Sequence, residues 1–306
     1  MTQILDVKSI SKAGDEDRKI INSISFQLLA GNRLAIVGET GSGKSTLLKM
    51  IGGILEVDSG EVLFKDEKVD GPSKKLVPGH TEIKYLSQHF ELPKFISVRE
   101  FLDREGEVAV EDPDQIYKAC RIENLLERDT RALSGGEKQR VALTKELLKA
   151  PEILLLDEPF SNLDFNHKRT IREVLDEIEN DLAVTIILVA HDPKDVLSWA
   201  DKVMVLRSGE VAQFDTPEVL YEEPSNEYVA GLFGSYSFLE KENTFLRPHH
   251  IQISTEKKSH QGQITNVRYF GSYDELFIDS EIGQIITNVE VGTYEKGQTI
   301  KFVIKK

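Results

Sequence analysis

Gly38-Glu39-Thr40-Gly41-Ser42-Gly43-Lys44-Ser45-Thr46 decides the reading of this chain. Leu34-Ala35-Ile36-Val37, just before it, is apolar throughout, as expected of a sheet strand covered on both faces. After it, Leu47, Leu48 and Ile51 recur at helical spacing until Gly52-Gly53 ends the pattern. A glycine-rich segment between a strand and a helix turns backbone N–H groups inward, and the helix presents its positive end. Together they cradle phosphate. Lys44 then places its ammonium against the β and γ phosphates of a nucleotide, and the Ser45 hydroxyl binds magnesium.

Upstream, Ile24, Phe26 and Leu28 alternate with Ser25 and Gln27, which predicts a half-buried strand before a turn at Gly31-Asn32. Downstream, Gly60, Gly71, Pro72, Pro78 and Gly79 punctuate a mixed stretch. Residues 97–131 are charged and mostly helical in period, a small helical insert. Further strands are expected at Ile153–Leu156, Thr185–Ala190 and Lys202–Leu206. Between the first two, Ile171, Val174, Leu175, Ile178 and Leu182 mark a helix. Such alternation implies an α/β fold with a mostly parallel sheet and helices on both faces. Residues 221–238 read as a linker helix and crossing segment. Beyond Leu239 short strands at 264–269, 275–278, 284–289 and 299–304, separated by glycines and charged turns, suggest a small all-β barrel.

Two acids, Asp157 and Glu158, end the apolar strand that starts at Ile153. Acids at the end of a buried strand are costly unless they serve something. Paired with the phosphate loop, Asp157 orients magnesium or its water shell, and Glu158 polarises the water that attacks the γ phosphate. His191 ends the strand Thr185–Ala190 in the same way, and the nucleotide motifs favour a neutral imidazole close to the γ phosphate. The other six histidines show no metal-ligand spacing.

The 306 residues suggest about two domains. Lys and Arg total 38 against 52 Asp and Glu, a net charge of -14 that argues against a nucleic-acid binder relying on bulk phosphate attraction. Cys120 is the single cysteine, so an internal disulfide and a thiolate cluster are excluded, which fits a reducing compartment. Met1–Asp6 lacks a basic stretch followed by a long apolar run, so secretion is not expected. The longest apolar runs are strand-sized, far short of the roughly 20 residues that cross a bilayer.

Leu133-Ser134-Gly135-Gly136-Glu137, between the phosphate loop and the acidic strand end, resembles the signature motif of the ATP-binding-cassette ATPases. The resemblance covers residues 1–235. It takes in Gln88 before the helical insert, Ser161-Asn162-Leu163-Asp164 after the acids, and His191 as the switch histidine. It implies a phosphate-loop NTPase cassette with a helical insert at 90–135, followed by an OB-like barrel over 236–306. It also implies ATP and Mg2+ as cofactors. Two cassettes pair head to tail as a homodimer, so that ATP on one loop, Gly38 to Thr46, is covered by Ser134, Gly135 and Gly136 of the other. The implied catalytic set is Glu158, His191, Gln88 and Lys44. Ser45, Gln88 and Asp157 are the metal set, and Asp164 links the two sites. The family usually stacks an aromatic on adenine near Ser11–Gly14; here Ala13 stands in its place. The signature ends in Glu137, where glutamine is commoner.

The segment from Leu188-Val189-Ala190-His191-Asp192 through Thr216-Pro217, Tyr221 and Pro224 looks like the importer branch. Arg247-Pro248 with Ile251 and Ile253 resembles the approach to the TOBE-like barrel of sugar, polyamine, iron, sulfate or thiamine uptake ATPases. That resemblance implies integral-membrane permease subunits, an external solute-binding protein and a peripheral place on the cytoplasmic face of the inner membrane. Phe95, Phe101, Leu102, Ile122 and Leu125 are candidates for lining the groove that receives the permease, although most of them are more simply explained as core residues. The barrel would stabilise the homodimer, sense a cytoplasmic ligand or serve as an inert appendage. A soluble cassette without a permease and a subunit of an exporter are the alternatives.

Overall fold

The computed structural model describes residues 2–14, 19–88, 91–104, 108–161, 163–254, 256 and 258–305. Asn162 of the motif at 161–164 lies outside the described residues. The chain forms two compact units that divide between Thr216 and Pro217.

In the first unit the strands are β1 (Gln3–Ala13), β2 (Lys19–Leu29), β3 (Arg33–Val37), then helix α1 (Lys44–Ile51), β4 (Ser59–Phe64), β5 (Glu67–Lys68) and β6 (Ile83–Leu86). The helices α2 (Val98–Arg104), α3 (Pro113–Ala119) and α4 (Gly135–Leu147) follow, then β7 (Ile153–Asp157), α5 (Phe165–Leu182), β8 (Thr185–Ala190), β9 (Lys202–Arg207) and β10 (Glu210–Asp215). A six-stranded sheet runs in the order β10-β9-β3-β8-β7-β6, parallel except for the edge strand β10. Its inner strands β3, β7 and β8 lie between parallel neighbours and are buried almost throughout, which is why they read as unbroken apolar runs. Each fully buried Leu or Ile side chain there contributes about 1.5–3 kcal/mol.

A second, antiparallel sheet, β2-β1-β4-β5, was not legible as such. In β2 Ile24, Phe26 and Leu28 are buried while Ser25 and Gln27 are exposed, as the alternation predicted. In β1 the pattern is broken by shifts in register and by Ser9 at φ 48°, which obscures the period of two. Residues Val98–Ala132 form the expected helical insert, as two short helices and 3-10 turns.

Four of the five residues considered for a permease groove belong instead to the core: Phe101, Leu102, Ile122 and Leu125 are buried. Their apolar character is spent on packing the insert itself. Phe95 alone is exposed, at 72%, with its ring under the Arg131 guanidinium at 4.0 Å and its backbone at φ 68°.

The second unit comprises α6 (Pro217–Glu222), α7 (Glu227–Leu232), a hairpin of β11 (Ser237–Leu239) and β12 (Thr244–Leu246), and β13 (Ile251–Ile253), β14 (His260–Tyr269), β15 (Asp274–Ser280), β16 (Gly283–Val289) and β17 (Thr299–Ile304). The last five make an all-antiparallel sheet in the order β13-β17-β14-β15-β16. Its two edges approach each other: Thr287 Oγ1 on β16 donates to Ile251 O on β13 at 3.0 Å, so the sheet is a nearly closed barrel. Ile264, Leu276, Ile278, Ile285 and Phe302 fill it. Arg247, only 1% exposed, docks α6 and α7 on this barrel. Its Nε donates to Tyr221 O at 2.6 Å, its Nη1 to Ala230 O at 2.9 Å, and its guanidinium lies over the Tyr221 ring at 4.3 Å.

Candidate active site

The loop from Gly38 to Thr46 joins the C-terminal end of β3 to the N-terminus of α1, the place where a parallel sheet opens a crevice. Two glycines are required by crowding. A Cβ at Gly38, at φ 150°, would sit 2.1 Å from Leu206 O; one at Gly43, at φ 102°, would sit 2.7 Å from Ile20 O. The loop lines a cavity of about 820 Å3, with Glu39, Thr40, Gly41, Ser42, Gly43, Lys44, Ser45 and Thr46 on its wall and Glu158 facing them. Lys44, 6% exposed, donates to Gly38 O at 2.8 Å and to Glu39 O at 2.9 Å. Burial lowers its pKa against the opposing pull of Glu158, Asp157 and Glu39. An ammonium so placed is held by its own loop and is ready to exchange two carbonyls for phosphate oxygens.

β7 delivers the two acids to the same end of the sheet. Ser45 Oγ donates to Asp157 Oδ1 at 2.8 Å, so the residues expected to hold a divalent cation are already paired. Tyr85 on β6 donates its hydroxyl to the other oxygen, Asp157 Oδ2, at 2.8 Å. Burial, and then the hydrogen bond to Asp157, raise the Tyr85 pKa far above its ordinary value, so the phenol remains a donor. Glu158 stands at φ 52°, a left-handed conformation that a non-glycine residue adopts at a cost of about 1–3 kcal/mol. Its amide donates to Val189 O at 3.1 Å, anchoring the strained turn to β8. Its Oε2 accepts from Gln88 Nε2 at 3.0 Å and from Ser161 Oγ at 2.6 Å. Gln88 therefore meets Glu158 directly. A second cavity of about 330 Å3 contains Gln88, Glu158, Ser161 and His191.

Ser134 and Gly136 line neither cavity. Ser134 caps α4: its Oγ accepts from Glu137 N at 3.3 Å, while Glu137 Oε2 accepts from Ser134 N at 2.7 Å. The reciprocal pair is a capping box, so Glu137 has a local role as its third-position acid, reinforced by Arg128 at 2.8 Å. Leu148 is the C-cap of this helix. From the same helix Gln139 donates to Pro159 O at 2.7 Å, fastening α4 to the turn after Glu158. Asp164 caps α5 by accepting from His167 N at 3.0 Å, and its other oxygen meets His167 Nδ1 at 2.8 Å.

A match to the family model described as ABC transporter spans residues 21–161. The spermidine/putrescine import ATP-binding protein PotA of Bacillus thuringiensis (strain Al Hakam) is 30% identical over 295 residues, which is 92% of this chain and 89% of that protein. The chain belongs to the ATP-binding-cassette transporter family. The sulfate/thiosulfate import ATP-binding protein CysA of Pseudomonas syringae pv. tomato is 27% identical over 303 residues, 94% of this chain and 91% of that protein. Among solved structures, cbiO1 from Clostridium perfringens, part of the ABC transporter complex cbiONQ, superposes with a TM-score of 0.64 at 29% identity, covering 73% of this chain and 92% of that one. A nucleotide-free ATP-binding cassette at 22% identity, TM-score 0.64, shares the fold. This ABC protein is thus an ATPase of the cassette type, with an all-β barrel after the cassette.

Within the cassette, Tyr85, Gln139 and His167 escaped sequence reasoning. Tyr85 carried a signal in retrospect. It pairs with Leu155 across β6 and β7, so a residue two positions beyond Leu155 shares its face, and that residue is Asp157. Gln139 carried none, because its partner Pro159 is distant in sequence; His167 follows Asp164 at helix-cap spacing, but its packing on Gly136 joins segments far apart in the chain. Gly14, Lys19 and Ile20 also line the large cavity. Ala13 gives its backbone N–H to Asp58 at 2.8 Å.

In the second unit Glu222, His249 and His250 come together, a cluster that histidine spacing alone did not reveal. His250 Nδ1 accepts from Arg247 N at 3.1 Å, so the ring proton resides on Nε2, 2.9 Å from Glu222 Oε2. That arrangement satisfies both ring nitrogens as a hydrogen-bonded histidine.

Proposed function

We propose that this chain is the ATP-hydrolysing, nucleotide-binding subunit of a solute importer, working with a separate transmembrane permease and closing head to tail with a second copy of itself. The observation that carries this reading is the arrangement of the motifs. Glu158 lines the crevice of the phosphate loop and Asp157 is hydrogen-bonded to Ser45 of that loop, whereas Ser134 and Gly136, at the N-terminus of the thirteen-residue helix α4, lie off that crevice, and Gly135 lines a separate, smaller cavity with Gln88, Asp157 and Glu158. The capping box takes up the N–H groups of Ser134 and Glu137, and the positive end of the helix with its remaining first-turn N–H groups suits a triphosphate brought by a partner.

In this reading the loop from Gly38 to Thr46 wraps the phosphates, and Lys44 neutralises the β and γ oxygens. Ser45 and Asp157, with Gln88, would hold Mg2+, which would supply neutralisation of phosphate charge. Glu158 takes a proton from the attacking water as its oxygen bonds to the γ phosphorus. The bond from that phosphorus to the β-bridging oxygen breaks, and ADP carries the electron pair away. His191 steadies the γ phosphate as a hydrogen-bond donor, and Asp164 links the two sites across the dimer. Gln88 lets go of Glu158 to reach the phosphate, which ties nucleotide binding to movement of the helical insert. Ile20 and Lys19 receive the base in place of an aromatic.

Phe95 is the residue of the insert best suited to meet a permease helix, being aromatic, exposed and held in a strained backbone. Residues 1–235 constitute the ATPase domain and 236–306 the TOBE-like barrel in functional terms. The chain sits peripherally on the cytoplasmic face of the inner membrane, and an external binding protein delivers the solute. Among the described residues no helix is long and apolar enough to cross a membrane, consistent with a separate permease.

The deciding experiment traps Glu158→Gln protein with ATP and captures it from detergent-solubilised native membranes. Recovery of a multi-span permease supports the importer reading; recovery of soluble partners alone overturns it.

A further inference from the structure

Asp157 accepts two hydrogen bonds, and only one of them comes from the phosphate loop. Ser45 Oγ engages Oδ1 at 2.8 Å, while the phenol of Tyr85 engages Oδ2 at 2.8 Å. The second contact is built by sheet register. Tyr85 on β6 is paired with Leu155 on β7, so Asp157 lies on the same face two residues farther along, about 7 Å away. A phenol is long enough to span that offset, and its body packs against the core beneath the phosphate loop.

We propose that Tyr85 is a positioning residue for the divalent cation, holding the Asp157 carboxylate in the orientation that serves the metal with Ser45. This inference rests on the ATPase reading and deepens it. The Ser45 hydroxyl can ligate the metal through an oxygen lone pair while its O–H still donates to Oδ1, and Tyr85 holds Oδ2 from the other side, so the two donors together keep the carboxylate from rotating. Partners of this kind, one bond removed from a metal, typically change affinity by about 10–100-fold when removed.

The test is Tyr85→Phe in the full chain, which keeps the ring and its packing and deletes only the hydroxyl. Mn2+ binding in the presence of a non-hydrolysable ATP analogue is followed by electron paramagnetic resonance, and binding of the same analogue is measured without divalent ion. The expected result is a Mn2+ dissociation constant raised about tenfold, with metal-free nucleotide affinity within about twofold of the parent. Mn2+ affinity within about twofold of the parent overturns the inference. So does an equal loss of nucleotide affinity with and without metal, which assigns Tyr85 to the shape of the crevice. If the parent protein itself binds no Mn2+ with the analogue, the ATPase reading of this site fails as well.

Discussion

Gln88 Nε2 donates to Glu158 Oε2 at 3.0 Å, so the side chain expected to sense nucleotide is bound to the carboxylate expected to drive hydrolysis. Ser161 adds a second donor to the same oxygen at 2.6 Å. Two donors fix the direction of that carboxylate before nucleotide arrives. A glutamine at 158 fills the same space but cannot accept a proton from water. Glu158→Gln should therefore lower ATP hydrolysis by about 10^2–10^4-fold and leave ATP binding intact. Phosphate release beside nucleotide binding measures both, and a variant retaining a tenth or more of the parent rate would remove Glu158 from the role of base.

Gly136 packs closely beneath His167. A Cβ there would stand 2.6 Å from His167 Cδ2, and the ring cannot simply swing away because its Nδ1 is engaged by Asp164 at 2.8 Å. Alanine ordinarily improves an interior helix position by about 1 kcal/mol over glycine. Here Gly136→Ala should destabilise, by about 1–3 kcal/mol. In a His167→Ala background the same change should become neutral or stabilising. Denaturant melts of the double-mutant cycle decide the matter; additivity of the two changes refutes the contact.

Arg247 turns a buried charge into a staple. Its fork distributes donors among the carbonyls of Tyr221, Ala230 and Gly234, at 2.6, 2.9 and 3.2 Å, geometry that a lysine ammonium cannot copy. Arg247→Lys should cost about 2–4 kcal/mol, since each hydrogen bond to a charged group is worth about 1.5–3 kcal/mol. Differential scanning calorimetry should show the loss, and an unchanged melting profile would contradict the staple.

Cys120 lies buried at the C-cap of α3, where burial pushes its thiol up to about 12. An unfolded cysteine ionises near about 8.5. The neutral native thiol thus contributes stability that is fully present below about 8.5 and is lost as pH rises towards 12, because over that span the native state holds the extra proton. A thiol reagent at pH 8 should label native protein slowly and unfolded protein at once. Stoichiometric labelling of the native state within minutes would mean the site opens freely.

Much of the first unit was legible because its strands obey simple burial rules. Ile153–Leu156 and Thr185–Ala190 are covered on both faces and must be apolar, and β2 has one wet face and must alternate. β1 was hidden by its register shifts, and β4 and β5 by short length and many turns. In the insert, the apolar residues read more simply as core than as a docking groove, and the sequence did not say which was the exception. Packing separated Phe95 from Phe101, Leu102, Ile122 and Leu125.

Local order along the chain was enough to determine the phosphate loop, since a strand, a glycine-rich turn and a helix are adjacent in sequence and their backbone conformations follow from residue type. It also determined which side chains are chemically able to handle a nucleotide. Which of them touch was decided by tertiary structure. The parallel register of β6 with β7 sets Tyr85 on Asp157, and the turn after β7 carries Glu158 to Gln88 and Ser161. The packing of α5 against α4 lays His167 over Gly136. Such contacts depend on strand order, register and helix packing among segments far apart in the chain, and hydrogen bonds act over about 3 Å, so they exist only once the sheet has assembled.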